Sequence, residues 1–218
     1  MAISTRKVFK GFLGFLLLPV TIICIASFIS LLTRVRWHAY PYYLFIFGFV
    51  SYAPLFILNK KKSFAYVLGH EVLHALASIV FGGQLLSIFV SHSRGSVSTT
   101  KENFIVSLIP YCVPFYSLVL ALGYITVSIF MDARPLYPLC IFFLGFSLSH
   151  HIILTTLYIK MGQSDISSQG IFFSYNIIFL SNVIIITLLM NVFLTKISII
   201  DFWQETLGAL RALLYRHY

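Results

Sequence analysis

The sequence predicts an all-α membrane protein of about six transmembrane helices, with a short β-hairpin after the third, the helix that carries His70-Glu71-x-x-His74. Three observations predict it. Of 218 residues, 59% are apolar and 10% charged, whereas a soluble domain carries roughly 25% charged residues. The apolar residues gather into runs close to the ~20 residues that cross a hydrocarbon core. One stretch, 84–100, breaks that habit and alternates and turns as strands do. At this length the chain is expected to be one multi-pass domain, 1–218, without repeats or low-complexity tracts.

Each element has its own reason. Arg6, Lys7 and Lys10 precede the uncharged run 12–32. That run exceeds the roughly 7–15 apolar residues of a signal peptide, so a retained first span is expected. Arg34, Arg36 and Trp37 mark an interfacial loop. Residues 40–58 form the second span, closed by Lys60, Lys61 and Lys62, so that 12–58 is an N-terminal pair of helices. Residues 64–81 form the third, ended by Gly82-Gly83. Leu86, Ile88 and Val90 then alternate with Ser87 and Phe89, and a turn at Ser93-Arg94-Gly95-Ser96 leads to Val97-Ser98-Thr99. That pattern predicts a hairpin whose edge is able to pair with an extended peptide.

The fourth span, 103–130, is interrupted by Pro110 and Pro114, which free backbone carbonyls and bend a membrane helix. Residues 136–159 and 171–195 are the fifth and sixth, separated by a polar segment with Gln163 and Asp165. The tail, 197–218, mixes Trp203 and leucines with Arg211 and Arg216, the composition of a helix lying in the membrane surface. Six crossings put both termini on one side. Ten Lys and Arg then fall on that side and five on the other, which makes it cytoplasmic. The net charge of +9 is scattered between apolar runs and calls for no nucleic acid. Cys24, Cys112 and Cys140 sit inside apolar runs without disulfide or metal spacing.

The chemistry concentrates in Gly69-His70-Glu71-Val72-Leu73-His74. On a helix, His70 and His74 share one face a turn apart, so two imidazoles reach one ion, zinc being the usual one. Glu71 is placed to take a proton from a water that the metal acidifies. Chance would put His-Glu-x-x-His in on the order of a few per thousand chains of this composition. Three ionisable groups within five residues of an apolar helix also need a shared purpose. The expected chemistry is metal-assisted hydrolysis of a peptide bond.

With Val67 to Leu76 around that motif, Gly82-Gly83 after it and a hairpin-like stretch following, the chain resembles the site-2-protease-like membrane zinc metallopeptidases, closest to small bacterial members. The resemblance extends to Gly145-Phe146-Ser147-Leu148-Ser149-His150-His151 and Gln163-Ser164-Asp165, a core of about 64–182. It implies an intramembrane protease of a bacterial cytoplasmic membrane, with one Zn2+ and membrane proteins or peptides as substrates. His70 and His74 match zinc ligands and Glu71 the general base. The family usually takes its third ligand from the Asp of a Leu-Asp-Gly motif, which this sequence lacks. Asp165 is the favoured third ligand and His151 the rival. Asp165 suits the chemistry, but six crossings put 160–170 on the outer side, away from the motif. The segment would then have to fold back through Gly162 and Gly170. His151 lies at a depth closer to His74, and whichever is not the ligand is expected to support one. The competing reading is a non-catalytic zinc-binding membrane protein, either a degenerate protease acting as a partner or a metal transporter. Glu71 is superfluous to such a site, and a transporter should show inverted repeats. A serine protease built on Gly145-Phe146-Ser147 rests on a short, common pattern.

Overall fold

The computed structural model describes residues 5–58, 64–92, 94–194 and 196–215, and apart from one hairpin its regular structure is helical. The chain runs α1 (Thr5–Thr33), α2 (Tyr42–Leu58), α3 (Phe64–Val80), β1 (Leu85–Val90) and β2 (Gly95–Thr99). There follow α4 (Phe104–Cys112), α5 (Phe115–Phe130), α6 (Tyr137–Lys160), α7 (Ser164–Gln169), α8 (Ile171–Phe193) and α9 (Ile199–Tyr215). Helices α1, α6 and α8 are long and apolar enough to cross a membrane, and α4 with α5 adds a fourth if the bent pair counts as one. These helices mark a membrane-associated protein. Helices α2 and α3 have 17 residues each, about 25 Å against a hydrocarbon core of ~30 Å.

Helix directions also depart from six alternating crossings. Helix α1 lies beside α8 and runs the same way: Gly14 faces Phe172 and Phe173, and Cys24 shares a buried cluster with Val183. Helices α2 and α6 run together too, with Phe47 on Phe142 and Tyr52 on His150. Small residues permit that contact, since a Cβ at Gly48 would lie 1.9 Å from the Phe142 carbonyl oxygen and one at Gly145 2.1 Å from that of Phe45. Packing between α2 and α6 thus accounts for Gly145, and the Ser147 hydroxyl bonds that of Ser117 at 2.8 Å.

The turning point is α3. It packs antiparallel to α4, with Ser78 against Lys101, His74 against Val106 and Gly69 against Phe115. Helix α4 starts beside the start of α8, where Phe104 meets Phe173, and leads into α5. The break between them follows from sequence. Val113 precedes Pro114, is driven out of the helical region to φ −109°, ψ 117°, and the two helices meet at 76°. One end of the bundle therefore gathers the start of α1, the hairpin, the start of α4, the end of α6, α7 and the start of α8. Lys10 bonds Gln169 there. The segment 160–170 thus lies at the same end as the histidine helix, which corrects the sequence expectation.

The hairpin forms as expected, with Val90 opposite Gly95 and Ile88 opposite Val97 in an antiparallel ladder. Gly95 begins β2 instead of belonging to the turn, and Ser93 lies outside the described residues, as do Lys60 to Lys62 and Arg216. The alternation does not bury one face: Leu86 and Ile88 are exposed, although β1 packs beside α3 and Val90 reaches a buried cluster. Helix α9 buries Phe202 against Cys24 and Leu31, and its Glu205 pairs with Arg34. It folds back along α1, with Ala209 and Ala212 beside Leu18 and Ile22, so it lies against the bundle and not across its end.

Candidate metal centre

Helical spacing puts His70 Nε2 and His74 Nε2 3.2 Å apart on one face of α3. Asp165 Oδ2 comes from the first turn of α7, 3.7 Å from His70 Nε2 and 3.6 Å from His74 Nε2. Gly162 and Gly170 flank α7 with φ of +75° and +94°, the left-handed backbone that turns the chain from α6 into α7 and on into α8. Among the described residues, these three side chains form the group of metal-binding type whose donor atoms all lie within 4.8 Å of one another. At a Zn–N distance of roughly 2.0–2.1 Å, two donors on a tetrahedral ion stand about 3.3 Å apart. The observed separations lie close to that, and two imidazoles with one carboxylate match a familiar catalytic zinc set. The residues present therefore fit the ion.

Supporting contacts orient the donors. His74 Nδ1 donates to the Val106 carbonyl at 2.7 Å, leaving its Nε2 lone pair for a metal. That carbonyl is available for a sequence reason. Its helical partner would be the N–H of residue 110, and Pro110 has none. The Tyr111 hydroxyl donates to Asp165 Oδ2 at 3.0 Å. Burial raises the Asp165 carboxyl, but the facing His70 and His74 imidazoles and the Tyr111 hydrogen bond prevail and hold it well below the usual carboxylate range.

Glu71 lies on the same stretch of α3, nine-tenths buried, and Gly95 of β2 sits directly on its carboxylate. A Cβ at Gly95 would lie 2.3 Å from Glu71 Oε1, so only glycine lets the strand approach this closely. A cleft of about 610 Å³ opens over His70, Glu71, His74 and Asp165 and is walled by β2 residues 95–99. Among the described residues strand β2 pairs with β1 alone, so its other edge is unpaired there. On the opposite wall, the Tyr158 hydroxyl is buried without a hydrogen-bond partner.

His151 takes no place among these donors. Its Nε2 donates to Asn182 Oδ1 at 3.0 Å, and Asn182 Nδ2 donates to the Tyr111 carbonyl at 2.7 Å. His151 thus braces α6 against α8 and α4. Sequence reasoning missed Tyr111, Tyr158 and the role of Gly95, none of which carries a local signal; Pro110 was visible, but its freed carbonyl had no assigned partner. No protein-family model, no curated protein and no solved structure matches this chain.

Proposed function

We propose that the protein is an intramembrane zinc metalloprotease of the site-2-protease-like kind, hydrolysing peptide bonds of membrane-associated substrates. The observation that carries this reading is a single cleft holding three convergent donors, a separate buried carboxylate and an unpaired strand edge. His70, His74 and Asp165 would hold a zinc ion, which would supply Lewis-acid polarisation of the scissile carbonyl and acidify the attacking water. Glu71 accepts the proton of that water as its oxygen bonds the carbonyl carbon, then passes it to the amide nitrogen as the C–N bond breaks. Strand β2 holds the substrate segment extended by main-chain pairing.

The sidedness belongs to the same proposal. The start of α1, the hairpin and α7 share one end, and we assign that end to the cytoplasm, in line with Arg6, Lys7 and Lys10 at the chain's start. A reporter inserted at residue 162 should read cytoplasmic and one at residue 133 external; the reverse pattern overturns the assignment. For the chemistry, the chain purified in detergent should carry one zinc per molecule. Chelation should abolish cleavage of membrane proteins and zinc should restore it. A chain that takes up no zinc from a zinc-replete buffer overturns the protease reading.

A further inference from the structure

One imidazole of the centre is fixed by a backbone carbonyl; the other is not. His70 turns Nε2 toward His74 and Asp165, so in the neutral tautomer its proton sits on Nδ1. That Nδ1 is buried and has no hydrogen-bond partner among the described residues. Behind it lies a cavity of about 20 Å³, lined among others by His70, Tyr116, Ser147, His150 and His151. Most polar groups on this wall are already engaged. The Tyr116 hydroxyl donates to the Ala65 carbonyl at 2.5 Å, Ser147 Oγ bonds Ser117 Oγ, and His151 Nε2 bonds Asn182. Tyr66, also on the wall, has its hydroxyl 3.3 Å from that of Thr155. Among the described residues of this wall, only His150 matches His70, with its Nε2 buried and without a partner.

We propose that this cavity holds one water joining His70 Nδ1 to His150 Nε2, and that His150 is thereby a positioning residue for the metal ligand. A cavity of this measure needs about 10–15 Å³ to take a water, and the water needs two to four polar partners. The size suffices, and the two unpaired nitrogens are the partners. The water accepts from His70 Nδ1–H and donates to the lone pair on His150 Nε2. This satisfies two buried groups and fixes the His70 ring with Nε2 toward the ion. Aromatic rings hold His150 itself, with Tyr52, Tyr66 and Tyr116 at centroid distances of 5.1, 6.1 and 5.6 Å. Beyond it lies an apolar cavity of about 400 Å³ that shares Tyr116, Ser147 and His150, so the imidazole also partitions the water from apolar space.

The inference rests on the zinc reading, and its test separates the two. The full chain in detergent is titrated with zinc against a chromophoric chelator, as wild type, His150→Phe and His150→Gln. Phenylalanine keeps the ring packing and the partition but removes the nitrogen; glutamine restores an acceptor. His150→Phe should bind zinc about 10–100-fold more weakly, with the thermal unfolding of the metal-free protein unchanged, and His150→Gln should recover most of the affinity. Wild-type affinity in His150→Phe overturns the inference while leaving the zinc centre standing. So does a loss that follows reduced metal-free stability and is not recovered by glutamine. If the wild type binds no zinc, the proposed function fails and this inference fails with it.

Discussion

Glu71→Gln should retain bound zinc and lose the proposed proteolysis. The substitution preserves shape, so the close contact with Gly95 survives and the hairpin stays in position. The three donor atoms come from His70, His74 and Asp165, so the ion keeps its ligands. Only the ability to accept a proton disappears. A positioned general base is worth roughly 10²–10⁴-fold in rate, and turnover should fall by that much. The measurement pairs zinc content by atomic absorption with a comparison of membrane proteomes from cells carrying wild type or the variant. Accumulation of uncut substrates in the variant supplies the protein on which rates are then measured. Unchanged turnover removes Glu71 from the chemistry and leaves a zinc-binding membrane protein as the better reading.

Asp165→Asn should release the metal. The asparagine oxygen still accepts the Tyr111 hydroxyl, so α7 keeps its main tether to α4. What is lost is the negative charge and the basic oxygen that face two imidazoles at 3.6 and 3.7 Å. Loss of a supporting partner typically costs about 10–100-fold in metal affinity, and loss of a ligand should cost more. After dialysis that leaves the wild type fully loaded, the variant should hold little zinc. His151→Ala is the contrast. Its imidazole bonds Asn182, so removal should lower stability by about 1–3 kcal/mol while zinc content stays near wild type. Full occupancy in Asp165→Asn excludes Asp165 as a ligand.

These residues differ in how far the sequence revealed them, and the difference has a physical basis. His70, Glu71 and His74 are legible because helical periodicity alone fixes their relation. Asp165 is legible as chemistry, a lone carboxylate between two glycines, but not as geometry. The sign of its side of the membrane depends on how many segments cross, and apolar content does not reveal whether a helix crosses or turns back. Helix α3 is an apolar run, as its neighbours are, and only the structure shows that it packs antiparallel to α4. The hairpin was legible from alternation and a glycine-bearing turn, whereas the duty of Gly95 was not. That duty is set by a carboxylate 24 positions earlier in the chain. Tyr111 looks like any other aromatic residue in an apolar run, and only the approach of α7 gives its hydroxyl meaning.

The missing N–H of Pro110 has a consequence for the order in which the centre is assembled. A main-chain carbonyl is among the least mobile acceptors a protein offers, and His74 is tied to one before any ion arrives. Its tautomer and ring angle are therefore prepaid in folding, and binding draws little conformational entropy from it. His70 has no such main-chain tether among the described residues and is held by the packing of Tyr66, Tyr111 and Tyr158. The two histidines of a symmetrical-looking motif are thus unequal hosts. An ion bound at this centre would meet His74 already oriented by the Val106 carbonyl, the acceptor that Pro110 leaves free.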